Sequence, residues 1–378
     1  MSKLGAVVSL FFIILLLFGR ITFPFGDEPD FQTRVERLAD LDKNSLNILG
    51  YFDFYEEIEA NNDCEIITSY LNPHSYISQE CYDLNLHYFG KRVSFSLFSL
   101  SPLILFLIFN KKIYRWSRSY KNIPSSEWNK RISSLSLTLL LPSVIYILGF
   151  LTKEIIVSIL SFFIFIFWGR KFIILFFLLA IYYLDNGNGL VVAFFSIILF
   201  FNGYLEKYRN KKVLILGFTI PIVIIFCFGQ SILEILSSEL NYVKLSEIYL
   251  TLHTGYYHNN YPLILRPIFT FLSLIFISAG GLKSILLFMI FFIFMIMASV
   301  RLVNKRDSIH SLVYFLSATE TIILITLMIP THAYSKYYIF LIPFFVYPLL
   351  QVYRTQTLIL FFSSLTLITY INILFFYT

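Results

Sequence analysis

The residues best suited to chemistry fall in four separated groups. The first is Phe25-Gly-Asp-Glu-Pro-Asp-Phe31, which sets Asp27, Glu28 and Asp30 directly after an apolar run, with Arg34 and Arg37 following. A carboxylate held against apolar walls keeps its proton more tightly, which moves it toward the strength a general base needs to take a proton from a hydroxyl. The same residues also suit a helix start, with Asp27 as N-cap and Glu28 and Asp30 in the first turn beside Pro29. The two roles are compatible.

The second group is Lys153 and Glu154, in a very short connection between two apolar runs. A charged pair with so little loop around it either faces the interior of a helix bundle, where such pairs bind or react, or sits in water with the lysine stem along the lipid. The third is His253-Thr-Gly-Tyr-Tyr-His258, followed by Arg266 and Pro267 at the entrance to another run. An arginine there can grip a phosphate through two parallel hydrogen bonds, or mark the headgroup boundary together with the tyrosines. The fourth is Pro330-Thr-His-Ala-Tyr-Ser-Lys-Tyr-Tyr338, which carries His332 and Lys336 between two late runs. Together a carboxylate base and several cations suit attack by a sugar hydroxyl on a sugar carbon whose leaving group is a phosphate or diphosphate. The base takes the hydroxyl proton, and the cations hold the charge that grows on the departing oxygen.

The elements that must position these groups are membrane helices. Of 378 residues 57% are hydrophobic and only 14% charged, against about 25% charged in an ordinary soluble domain. Apolar segments recur near 4–23, 93–110, 132–151, 155–168, 172–184, 189–204, 213–229, 263–280, 284–303, 311–330, 338–352 and 357–377. At about 20 residues per crossing these predict an all-α polytopic membrane protein of about 11–12 transmembrane helices, forming one domain over 1–378. The runs 155–168 and 172–184 are short for a crossing and predict tilted, broken or re-entrant helices. No small-x-small cleavage site follows the first run, so it is expected to stay as a helix.

Basic residues in short loops set the expected orientation. Segment 110–131 has seven basic residues against Glu127 alone, and 169–171 and 206–212 agree with it in parity, so all three are expected in the cytoplasm. That leaves 25–92 and 230–262 outside. The 25–92 loop is acidic: residues 27–92 hold 14 of the 23 acidic residues and five of the 29 basic ones. It is expected to form an extracytoplasmic loop domain after the first helix. An oxidising compartment either pairs Cys64 with Cys81 across it, worth about 3 kcal/mol, or leaves two thiols. Residues 231–252 space their apolar side chains three to four apart, as in an amphipathic surface helix or a lid. Arg301, Lys305 and Arg306 favour the cytoplasm, yet two full crossings between 263 and 303 would put them outside. Either one segment does not cross or the charge rule fails.

The acidic motif after the first run, and the Pro142 to Glu154 stretch with its Thr-Lys-Glu, resemble the glycosyltransferase C superfamily of polyprenyl-phosphate-dependent enzymes. The size, the Tyr249 to Arg266 entrance and the stretch Ser335 to Pro343 look more like O-antigen and capsule repeat-unit polymerases. That resemblance implies transfer of a growing glycan from undecaprenyl diphosphate to a lipid-linked repeat unit, on the periplasmic face of a bacterial inner membrane. It implies Asp27, Glu28 and Asp30 as catalytic, and Lys153, Glu154, Arg266, His258, His332 and Lys336 as diphosphate or substrate ligands. Its implied partners are the undecaprenyl-diphosphate-linked oligosaccharide, the bilayer and a chain-length regulator protein. Nucleic acid is not among them. No cofactor is expected; the acids could hold a divalent cation, but no ligand spacing calls for a metal. The sequence departs from those polymerases in having its longest outside loop first and few arginines in the later one. A single-sugar transferase using undecaprenyl phosphate, an O-antigen ligase and a flippase for lipid-linked oligosaccharide are the competing readings. A flippase should show charges deep inside spans, and Glu320 is the clearest of the few here.

Overall fold

A computed structural model describes Phe11 and residues 100–115, 124–148, 153–239, 265–273, 282–305, 308–329 and 337–376. These are helical, with no strand among the described residues. The helices are α1 (100–115), α2 (Ser125–Thr138), α3 (Pro142–Leu148), α4 (Lys153–Ile166), α5 (Lys171–Leu184) and α6 (Asn186–Leu205). They continue with α7 (Lys211–Glu239), α8 (Arg266–Ser273), α9 (Leu282–Asn304), α10 (Ile309–Met328), α11 (Ile342–Val352) and α12 (Thr355–Phe376).

Three stretches are long and apolar enough to cross a bilayer: Gly187–Tyr208, Lys211–Gly229 and Ile309–Met328. The chain is a helical, membrane-embedded protein. The larger number of crossings read from the sequence draws in part on segments outside the described residues.

The three crossing stretches occupy different places. In α10, 78% of the apolar window is buried, against 11% in α7, so α10 is the centre of the bundle and α7 its rim. α6, α7, α8, α9 and α11 all pack on α10. A helix that is apolar all round and still exposed is stable only where its surroundings are apolar too. The outward faces of α5 (Phe172, Phe176, Leu179) and of α7 (Val223, Phe226, Phe228) fit acyl chains, not water.

Four local features differ from the sequence expectation or settle it. The run 132–151 is broken at Leu139–Leu141, where Pro142 lacks an amide hydrogen and its ring opposes continuation of the helix. The break tightens into i→i+3 bonds from Leu140 and Leu141, and the Leu140 carbonyl accepts from the Thr366 hydroxyl of α12. Carbonyls freed at membrane depth need such partners. The short helices α4 and α5 have 14 residues each, about 21 Å, against a hydrocarbon core of about 30 Å. α7 runs without a break through Gly229 to Glu239, so residues 231–239 extend that helix instead of starting a separate surface helix. α8 has only eight residues, about 12 Å, and its Phe271 ring packs on Phe291 of α9 and Phe345 of α11.

The hairpin of α5 and α6 depends on one glycine. A Cβ at Gly189 would lie 2.4 Å from the Tyr182 Cα, so only glycine lets the two backbones come this close.

Candidate functional site

Several basic residues of the described helices gather at one end of the bundle, and the contacts show why. Arg131, 7% exposed at its side chain, donates from Nη1 to the carbonyls of Ile166 and Trp168 at 3.0 Å each and of Phe165 at 3.5 Å. Those carbonyls lie in the last turn of α4 and just past its end, where helix carbonyls lack partners further along the helix. Lys211 donates to the carbonyls of Val303 at 2.6 Å and of Lys305, which close α9. Lys305 donates to the Gln351 carbonyl at 2.8 Å, which closes α11. Three helices therefore end on this face, each capped by a cation where the helix dipole is negative. Lys305 thus lies at the same end as Lys211 and Arg131. That shared end is the one the charge rule expects for Lys305.

A polar network fills the middle of this end. Arg131 Nε pairs with Glu127 Oε1 at 3.0 Å, one helical turn away, and Arg131 Nη2 donates to the Tyr314 hydroxyl at 3.2 Å. Tyr347 of α11 donates to Glu127 Oε2 at 2.5 Å. His310 stands between two carboxylates, 3.2 Å from Glu206 and 3.9 Å from Glu127, with its ring against Tyr314. Burial pushes the Glu127 carboxyl up, but the Tyr347 hydroxyl and the Arg131 guanidinium outweigh it and hold the group below its ordinary value. Arg131 is committed to capping. His310 is the half-exposed member of the network.

A second polar group lies inside the bundle. Asn202 of α6 donates from Nδ2 to Ser317 Oγ at 3.0 Å and to Glu320 Oε2 at 2.8 Å, both on α10. The three side chains are buried.

Of the residues singled out from sequence, Asp27, Glu28, Asp30, His258, His332 and Lys336 lie outside the described residues. So do the 25–92 loop, with Cys64 and Cys81, and most of 230–262. Lys153 and Glu154 are the first two residues of α4, and the far end of that helix meets Arg131. The start of α4 therefore points to the end of the bundle opposite the basic one. Lysine is unfavourable in a first helical turn, where the dipole is positive, unless an anion compensates. Arg266 is the first residue of α8, half-buried, followed by Pro267 in the position proline favours. α4 and α8 share a neighbour: Phe165, near the end of α4 away from Lys153, packs on Phe344, and Phe271 packs on Phe345, both in α11.

Sequence reasoning used Arg131 and Lys305 only as markers of orientation and did not bring Glu127, Tyr347 and His310 together. The four-residue spacing of Glu127 and Arg131 was the available signal. Glu320 stood out as a charge within a span, but its partner Asn202 did not. No family model, no curated protein and no solved structure matches the chain.

Proposed function

We propose that this chain is a membrane glycosyltransferase of the surface-polysaccharide polymerase kind, acting on undecaprenyl-diphosphate-linked glycans at the end of the bundle opposite the basic one. By the positive-inside rule the basic end faces the cytoplasm, so the reaction takes place on the periplasmic side of a bacterial inner membrane. The acceptor sugar's hydroxyl attacks the anomeric carbon of the growing glycan, and the bond from that carbon to the diphosphate oxygen breaks. One of Asp27, Glu28 and Asp30 takes the hydroxyl proton, and Lys153 and Arg266, with His258, His332 and Lys336, hold the departing diphosphate.

The observation that supports this is the uneven use of cations. Arg131, Lys211 and Lys305 are spent capping helix ends on the basic face. Lys153 instead stands at the start of α4, at the opposite end of the bundle, and Arg266 stands at the start of α8. A polymerase of this kind also fits a chain-length regulator as partner. Addition of a single sugar from undecaprenyl phosphate would use the same groups.

Complementation of a polymerase-null strain tests the reading, with the product seen as a glycan ladder on a gel. The ladder should return with the wild-type gene and be lost with Asp27→Asn, Glu28→Gln or Arg266→Ala while the protein stays in the membrane. Wild-type ladders from all three variants would overturn the site.

One observation favours a second reading. Glu320 lies deep in α10, as transporters place carboxylates, which suits a flippase for lipid-linked oligosaccharide. Lipid-linked units stranded on the cytoplasmic side in the null strain would favour it.

A further inference from the structure

Glu320 sits about 15 Å along α10 from His310, well inside the apolar part of the bundle. It is 2% exposed, and Asn202 is fully buried at 0%. Among the described residues the Asn202 amide is the hydrogen-bond partner of Glu320, and no cation pairs with it. The Asn202 Oδ1 is buried with no partner. A carboxylate in such a place carries a buried charge, and the amide beside it leaves its acceptor unused.

The buried charge points to a missing proton. An asparagine amide can present either edge, because its oxygen and nitrogen have nearly the same shape. Turned over, Asn202 would place Oδ1 where Nδ2 now stands, 3.0 Å from Ser317 Oγ and 2.8 Å from Glu320 Oε2. Two oxygens at 2.8 Å need a proton between them. A protonated Glu320 supplies it, the Ser317 hydroxyl supplies a second bond, and the buried charge is gone. We propose that Glu320, Asn202 and Ser317 form an intramembrane proton site, in which the Asn202 amide turns over as Glu320 gains or loses its proton.

The other titratable groups around α10 are engaged elsewhere. Glu206, Lys207, Tyr208, Lys211, Lys212 and Arg301 belong to the basic end, with His310 and Tyr314 of α10 itself. Tyr347 of α11 is bonded to Glu127, while Tyr204 of α6 and Cys227 and Glu234 of α7 are exposed. Arg266 opens α8, and none of these is bonded to Glu320. The site joins α6 to α10, so a change in its bonding acts on the contact between a crossing helix and the centre of the bundle. It stands independently of either substrate reading.

Infrared spectroscopy on the full chain in lipid vesicles reads the proton directly, through the carbonyl stretch of a protonated carboxyl. Spectra are compared as pH is stepped from about 5 to about 9, the interval reached by buried carboxyl groups. A band should weaken as pH rises and be absent in Glu320→Gln. In Asn202→Leu, which leaves Glu320 in place, the band should move to higher frequency as its hydrogen bond is lost. A wild-type spectrum whose titrating bands all survive in Glu320→Gln would overturn the proposal. So would a Glu320 band that does not change with pH, or one that Asn202→Leu leaves unmoved. If Glu320→Gln does not fold, the Asn202→Leu shift decides alone.

Discussion

Replacing Arg131 by alanine should be among the most damaging single changes in the described bundle. The guanidinium serves the Phe165, Ile166 and Trp168 carbonyls at the end of α4 and just past it, the Tyr314 hydroxyl and the Glu127 carboxylate, and so ties α2, α4 and α10 together. Its removal takes that donor from the Ile166 and Trp168 carbonyls and leaves Glu127 without its cation. Breaking a buried charged pair on one side costs about 3–5 kcal/mol, and the orphaned carbonyls fall within that figure because relaxation and water recover part of it. Arg131→Lys keeps the charge but not the planar fork, so it should lose roughly 2 kcal/mol. Unfolding of the purified protein in mild detergent, followed by heat or by added denaturing detergent, measures both. The Arg131→Ala midpoint should fall on the order of 10 °C. A double-mutant cycle with Glu127→Gln should give a coupling of about 1–2 kcal/mol, since the two side chains are in contact. A loss under about 0.5 kcal/mol for Arg131→Ala would refute the capping role, because surface substitutions already produce changes of that size.

Three further outcomes follow from the same contacts. Gly189→Leu should destabilise by about 2 kcal/mol or more because it forces the α5 and α6 backbones apart, while Gly217→Ala meets only the flexible end of Leu205 and should cost less; equal losses would contradict the close approach. The Glu127 carboxyl is held below its ordinary value near 4.5, so its contribution to stability is complete above that value and is lost as pH falls through the lower folded value. Acid unfolding curves of Glu127→Gln should therefore be flatter than wild type below about pH 5, and parallel curves would contradict the pairing. Asn304→Cys, at the exposed end of α9 and with Cys64, Cys81 and Cys227 changed to serine, should react with an impermeant maleimide from the cytoplasmic side; labelling of intact cells would reverse the orientation.

The helical membrane class was legible in the sequence because long apolar runs need no partner to be recognised. The break at Pro142 was not read, although the residue was in plain view, because an apolar run scores the same whether or not the helix is continuous. That Arg131 and Lys211 share one end of the bundle was legible from the parity of the apolar runs, but the reason these cations gather was not. Charge counts carry no record of which carbonyls a side chain reaches, and the caps on α4, α9 and α11 join residues far apart in sequence. Asn202 was invisible for a related reason: it matters only because Glu320, 118 residues later, lies against it. Lys153 and Arg266 were singled out by type and position, and the structure gives each a helix start. It does not describe Asp27, Glu28 or Asp30, so the proposed base rests on the sequence motif.

Reconstitution tests the proposed chemistry most directly. The purified full chain in lipid vesicles is given undecaprenyl-diphosphate-linked repeat units of defined length, and the lipid-linked products are sized by mass spectrometry. The account predicts lipid-linked glycans of two and more repeat units, with release of one undecaprenyl diphosphate for each bond formed, and loss of both in Arg266→Ala. Repeat units that remain single, whether unchanged or carried across the membrane, would contradict it.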